Sequence, residues 1–431
     1  MIFGQGNQSH LSQKEMKMTP AIQKTEDIHA QSEKEAQAQS LNLTHIFKKM
    51  KPFPEKMDRP LVTVAIDLAA YSWQAAIVSG KKIFTPKFQE LGKPQALLNA
   101  IHEKMRYFGV SDTRDVVACY EIGRDGLWIA EFLEANGIAC VILSPDVLSG
   151  NGREVKTDRL DARRLSVRLA NFFNGELECD HVHLRPSHAV QAGRAVSRGR
   201  AEAVEIRTQF SHLFKSILAR HMELPRRLKV RNVDVDTLRD ALGRPLPPEE
   251  VEELRLYQEH YLRMDRDVAA ADSLMRARAL AARKAARDGG ETSREDAMIG
   301  KLVRLRGVGF RISWVLVHEL FYKSFGNTRQ VGCATGLAAI PRASGSTDRC
   351  AGISRRSNHR LRAALVELAW LWLRHQPDSA LTKWFLERTK AGVSARRMKK
   401  VAAVALARKL AVALWKFLEH GEVPEGAAVA A

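Results

Sequence analysis

The 431-residue chain has only five cysteines, Cys119, Cys140, Cys179, Cys333 and Cys350, and no CxxC among them. That excludes a disulfide scaffold and a thiolate zinc site, and reads as reduced thiols. The 14 histidines form neither HxxxH nor HExxH, so zinc has no support. No stretch approaches the ~18 consecutive apolar residues of a membrane-spanning helix, and no charged-then-apolar signal layout opens the chain. A cytoplasmic protein without a membrane partner is therefore expected. Residues 1–58 are poor in aromatics and hold no sustained period, so a disordered leader is expected there, with no chemistry assigned to it. Acidic residues are also in the minority, 49 against 68 Lys and Arg, which leaves a formal charge of +19. The excess runs from Lys48 to Lys416 rather than sitting in a tail, and it points to a polyanionic partner, nucleic acid first.

At Leu61 the composition changes abruptly. Leu61–Asp67 reads as a buried strand ending in an acid, and Trp73–Val78 and Lys82–Phe88 read as two more short strands. Pro94–Tyr107 has helical spacing, with Leu97, Leu98, Ile101 and Met105 on one face. Asp115–Glu121 is a second buried strand ending in an acid; Gly123–Ala135 reads as a helix and Ile138–Leu143 as a fifth strand. After a Gly-bearing loop at Ser149–Arg153 comes Lys156-Thr157-Asp158-Arg159-Leu160-Asp161-Ala162, opening an amphipathic helix with Thr157 as N-cap. The order β-β-β-α-β-α-β-α is that of an RNase H-like fold.

Two carboxylates three residues apart on a helix point the same way. Alone, Asp158 and Asp161 read as a dipole-matched, salt-bridged helix start, Asp67 as a strand-end turn former and Glu121 as a solvated loop acid. Jointly they fall at strand ends and on the last helix, places that a mixed sheet gathers at one edge. Four carboxylates gathered there repel one another unless a hard divalent cation with oxygen ligands, Mg²⁺ or Mn²⁺, relieves them.

From Phe173 to about Gly300 the pattern is helical and highly charged: Ala189–His212 and Glu249–Arg287 form two long helices around a Pro-rich break at Pro245, Pro247 and Pro248. Such a hairpin reads as a connector and secondarily as a surface for a homodimer or homotetramer. Leu302–Leu320 follows with Gly307-Val308-Gly309, either a phosphate-approaching hairpin or a tight inter-helix turn. Next comes a loop with Ser344 beside Gly345, among Arg342, Arg349, Arg355, Arg356, Arg360 and Arg362. A serine in a guanidinium field beside a permissive glycine suits a phosphoryl-transfer nucleophile; equally, the loop reads as a basic grip on a phosphate backbone. Ala363–Leu373 and Leu381–Leu418 read as helices, the second carrying dense Arg and Lys.

These residues resemble one family. Asp67, Glu121, Lys156-Thr-Asp158-Arg-Leu-Asp161-Ala, and Gly336-Leu…Pro341…Ser344-Gly345…Gly352-Ile-Ser-Arg-Arg-Ser-Asn358…Leu361-Arg362 are similar to the DEDD transposases of bacterial insertion sequences (groups 110 and 1111), relatives of the Piv-type invertases. The likeness runs from about Leu61 to Leu418. It implies an α/β plus all-α chain: a RuvC-like domain over 59–175, a helical connector over 176–300, a mostly helical C-terminal transposase domain over 301–420 and a tail over 421–431.

It further implies that Asp67, Glu121, Asp158 and Asp161 bind Mg²⁺, that Ser344 forms a transient phosphoserine link to donor and target double-stranded DNA, and that a structured guide RNA directs recombination. A nucleoid-associated place in a bacterial cytoplasm goes with this. The sequence departs from the family pattern at Gly345-Ser346-Thr347, where Gly-Gly-Lys is common, and at Ser357, where Gly is common. The first departure puts Ser346 beside Ser344 as a competing nucleophile. The alternatives are a RuvC-like nuclease using water, or a decayed nucleic-acid-binding derivative.

Overall fold

The computed structural model describes residues 62–69, 71–89, 91–123, 126–143, 157–173, 185–344, 347–353, 357–390 and 395–429. The expected leader, the loop Ser149–Arg153, Lys156, Gly345, Ser346, Arg355 and Arg356 lie outside them. The chain is mixed α/β, mostly helical, and divides at Arg185/Pro186 into two compact units.

The first unit is built on a sheet of β1 (Val62–Leu68), β2 (Trp73–Ser79), β3 (Lys82–Phe84), β4 (Lys87–Phe88), β5 (Val116–Glu121) and β6 (Ala139–Leu143). Its order is β3-β2-β1-β5-β6, with β4 also on β2. The first strands pair antiparallel, while β1, β5 and β6 run parallel. The expected third strand is broken in two at Pro86, which has no N–H to give to a ladder. Gln74 Nε2 bridges the break by donating to Thr85 O at 3.0 Å and Pro86 O at 2.8 Å.

Strand alternation sorts the side chains onto two faces. One face holds Val64, Ile66, Ala75, Ile77, Ala118, Tyr120 and Ile142, covered by Leu97, Ile101 and Met105 of α1 (Lys93–Phe108) and Ile129 and Leu133 of α2 (Trp128–Ala135). The other face holds Ala65, Val117, Cys119, Val141 and Leu143 and is covered by Leu165 and Leu169 of α3 (Asp158–Phe173). Burial pushes the Tyr120 hydroxyl and the Cys140 thiol well above their ordinary ranges, so both stay neutral in this core.

The second unit begins with a two-helix arm, α4 (His188–Leu218) and α5 (Pro248–Asp288). It continues through α6 (Arg294–Leu302), α7 (Phe310–Leu316), one wider π turn (Val317–Phe321), α8 (Thr328–Ala334), strands β7 (Ala339–Ser344) and β8 (Thr347–Ile353), α9 (His359–His375), α10 (Ala380–Lys390) and α11 (Ala395–His420). Its core is aliphatic and aromatic: Leu316, Leu320, Leu365, Leu368, Trp372, Leu406, Leu410 and Leu414 are among its fully buried members. Gly307 belongs to packing. Its φ is +83°, and a Cβ there would stand 3.2 Å from Leu371 O, so the glycine lets the turn before α7 lie against α9.

One expectation is corrected. The serine-bearing stretch, read as a loop, is an antiparallel ribbon in which Ser344 pairs with Thr347 and Pro341 with Cys350. No apolar alternation announces it, because a two-stranded ribbon is held by its backbone ladder, and a proline is tolerated where its nitrogen faces away from the partner strand.

Candidate active site

In the first unit the acids fall as follows. The last register pair between β1 and β5 is Ile66 with Tyr120, so Asp67 and Glu121 are the next positions on two neighbouring parallel strands. They lie two residues beyond Ala65 and Cys119 and therefore on the face that α3 covers. Glu121 pairs onward with Leu143, and Asp67 with Gln74.

Helix α3 is placed by a buried polar tie: Thr63 Oγ1 lies 3.0 Å from Ser166 Oγ, and Ser166 Oγ donates to Thr63 O at 3.1 Å. Thr63 is the second residue of β1, so helix residues before Ser166 stay over the sheet only if the helix runs back toward Asp67. Asp161 and Ala162 are buried, which requires that direction. At a rise of about 1.5 Å per helical and about 3.3 Å per strand residue, the backbone of Asp158 comes level with the end of β1 near Asp67, and Asp161 with Ala65. Thr157 caps the helix as expected, its Oγ1 accepting from Leu160 N at 3.3 Å. Arg159, Arg163 and Arg164 face outward.

Among the described residues, no three His, Cys, Asp or Glu side chains approach closely enough to form a metal cage. The donor set still suits a hard cation: Asp67 and Glu121 offer oxygen ligands from adjacent strand ends, and Mg²⁺ commonly takes one or two carboxylates plus phosphate oxygens. Asp161 is a buried carboxylate for which no ion pair is found among the described residues.

In the second unit Ser344 is the last residue of β7, at the turn of the ribbon. Arg342 and Arg349 occupy directly opposed register positions. Arg360 lies 3.6 Å from Glu202, and Arg362 is half-buried in the first turn of α9.

Both feet of this ribbon are tied down, through motif residues whose packing role the sequence did not reveal and through a buried acid, Glu319, that sequence reasoning passed over. At the first foot, Gly336 has φ +66°, and a Cβ there would come within 2.3 Å of Ser357. Ser357 Oγ donates to Gly336 O at 3.4 Å. At the second foot, Asn358 caps α9 by accepting from Arg360 N and Leu361 N, both at 3.1 Å. Asn358 Nδ2 then donates to Glu319 Oε2 at 2.9 Å.

Glu319 is buried in the π turn and also accepts from Arg198 Nε at 3.0 Å and Nη2 at 3.1 Å, with Arg194 Nε at 3.5 Å. Arg194 donates to His318 O at 2.9 Å, and Trp314 Nε1 donates to Gly193 O at 2.7 Å. Gly193 is obligatory in this contact, since a Cβ would sit 2.1 Å from the His318 ring. Burial pushes the His318 imidazole below its ordinary range, and burial also lowers the Lys323 ammonium, helped by nearby Arg194. The visible signal was Arg194 and Arg198, four apart on one face of α4; their partner lies 121 residues away.

Comparison with known proteins supplies the class. Residues 300–383 match the model of the transposase IS116/IS110/IS902 family. A Sinorhizobium fredii (strain NBRC 101917 / NGR234) protein named "Putative transposase y4rJ" is 34% identical over 327 residues, which is 72% of this chain and 79% of that protein. Both matches fall among transposases. The chain belongs to the IS116/IS110/IS902 family of insertion-sequence transposases, enzymes of DNA. Among the described residues, no helix is long and apolar enough to cross a membrane.

Proposed function

We propose that the protein cuts and rejoins DNA strands by serine catalysis, with an acidic RNase H-like (RuvC-like) domain in the first unit and the serine nucleophile in the second. The observation that carries the acidic half is the register of Asp67 beside Glu121 at the ends of parallel strands, under the first turns of α3. The strand order β3-β2-β1-β5-β6, with three antiparallel members followed by two parallel ones, supports the fold assignment.

Asp67, Glu121, Asp158 and Asp161 would hold Mg²⁺ or Mn²⁺. When bound, the ion would neutralise charge on the phosphate oxygens. Ser344 Oγ attacks the phosphorus and gives up its proton, a phosphoserine bond forms, the bond to the leaving sugar oxygen breaks, and that oxygen takes up a proton in exchange. The reverse reaction on a new sugar hydroxyl rejoins the strand without loss of the ester bond to water. Arg342 and Arg349 hold directly opposed register positions on the ribbon that ends at Ser344, a placement that suits the grip on a phosphate there. Arg355, Arg356, Arg360 and Arg362, close to it in sequence, would add to the grip on the phosphate backbone. Sequence choice is delegated to a structured guide RNA by base pairing, with the protein gripping backbone and shape, and the active form is a homodimer or homotetramer.

The test is a covalent-adduct assay on DNA carrying the element's own ends. Ser344→Ala is expected to abolish the protein–DNA adduct while nucleic-acid binding persists. An adduct that survives in Ser344→Ala and disappears in Ser346→Ala assigns the nucleophile to the wrong serine. Free cleaved ends with no adduct in the parent protein refute serine catalysis altogether.

A further inference from the structure

The α4–α5 arm carries a separate feature at its apex. Phe214, Ile217, Leu218, Val230, Val235, Leu246 and Leu254 form a small hydrophobic cluster of their own, distinct from the main core of this unit. The arm is rooted where Gly193 meets Trp314 and where Met275 and Ala279 enter the main core. From Gly193 to Leu218 the helix rises about 38 Å at ~1.5 Å per residue, close to one turn of duplex DNA, roughly 34–36 Å.

Most cations on this apex are already engaged. Arg220 and His221 pair with Glu250, Arg231 with Asp265, Arg244 with Asp240 and Arg255 with Asp236. Arg239 donates to the carbonyls of Asp236 and Leu238.

Arg226, Arg227 and Lys229 differ. All three are exposed, and no carboxylate partner is found for them among the described residues. Glu223 is the one acid between Arg220 and Val233.

The segment that carries them is held firmly. Leu224 and Leu228 pack on the apical cluster, Leu228 N donates to Pro225 O at 3.1 Å, and Gln258 Nε2 donates to Val230 O at 2.9 Å and Val233 O at 2.7 Å. Three cations with no carboxylate partner among the described residues, on a firmly held platform beside cations that are mostly engaged, are arranged for a polyanion. Pre-ordered placement lowers the entropy lost on contact.

We propose that the apex of the α4–α5 arm grips the phosphate backbone of duplex DNA through Arg226, Arg227 and Lys229, about one helical turn from the root of the arm. The contact is independent of base sequence, since it is made to phosphates. It stands apart from the serine reaction and does not depend on which serine attacks.

The experiment uses the full-length protein and a fluorescent 40-bp duplex of arbitrary sequence, with Kd measured from 50 to 200 mM NaCl. Each phosphate contact contributes about 0.9 to the slope of log K against log salt. The triple substitution R226A/R227A/K229A is expected to flatten that slope by about 2–3, so the 200-to-50 mM ratio of Kd falls about 40-fold relative to the parent protein.

R226K/R227K/K229R keeps the charges and is expected to retain the parent slope, which separates lost contacts from lost folding. A slope change below about 0.5 in the alanine variant overturns the proposal. So does a change seen with single-stranded RNA of equal length but not with the duplex, or an equal loss in the charge-retaining variant.

Discussion

Removing the Glu319 carboxylate is the sharpest perturbation of the second unit, because three elements converge on it. Its side chain is 2% exposed and is met by Arg194, 14% exposed, and Arg198, 41% exposed. It also receives the Asn358 amide that ties the cap of α9 to the π turn. Glu319→Ala leaves two guanidinium groups and an amide facing an apolar gap. Breaking a buried pair by deleting one partner costs roughly 3–5 kcal/mol. Arg198 regains water through its exposed side, and that part of the penalty is screened. An estimate of about 3 kcal/mol follows, of which the lost Asn358 hydrogen bond is ~1 kcal/mol.

For a cooperative unit of this size each kcal/mol moves Tm by about 2–4 °C, so the variant is expected to melt ~6–12 °C lower. Glu319→Gln keeps an acceptor for Asn358 but loses the charge, and should fall between the two. The assay is thermal unfolding of the full chain followed by tryptophan emission, with Trp314, which is fully buried, as the nearest reporter. A drop below ~2 °C for the alanine variant, or no difference between the Ala and Gln variants, refutes the reasoning.

Two further outcomes follow from the same neighbourhood. The buried His318 resists protonation, so below a pH of about 6.5 the unfolded chain takes up a proton that the folded chain refuses, and stability falls as pH drops. Guanidinium midpoints at pH 7.5 and 5.5 measure this, and His318→Gln should flatten the profile; an unaltered profile removes His318 as its cause. At the ribbon's first foot, Gly336→Ala meets both a left-handed backbone (φ +66°) and the Ser357 side chain, and should destabilise the protein by about 1–3 kcal/mol. Adding Ser357→Gly should recover the steric part, and a double variant no better than the single one locates the strain elsewhere.

Much of the architecture was legible because it is local. The switch to buried β-runs at Val62, the helical face of Leu97, Leu98, Ile101 and Met105, and the Thr157 cap are written within a few residues of themselves. The second arm helix was legible in the same way, running from Pro248 to Asp288 within a residue of expectation at each end, whereas the first starts at His188 as expected but runs on to Leu218, six residues past the expected end. The acids at Asp67 and Glu121 were visible as strand ends, though their adjacency is a property of strand pairing. The β7–β8 ribbon was not legible. Its ladder joins Ala339 to Ile353 through main-chain groups, and main-chain groups carry no sequence signature.

The sequence alone thus determined the order of elements, the basic character that suits a nucleic-acid enzyme, and the residue types available for chemistry, since period, cap and charge are short-range properties. Tertiary structure alone decided the rest. It set the direction of α3 through Thr63 and Ser166, which are 103 residues apart. It buried Glu319 between Arg198 and Asn358, and it left Arg226, Arg227 and Lys229 without a carboxylate among the described residues while Arg220, Arg231, Arg244 and Arg255 found one. The physical reason is common to all three. Whether a polar group is satisfied or left open depends on which distant groups share its small volume, and neither period nor composition carries that information.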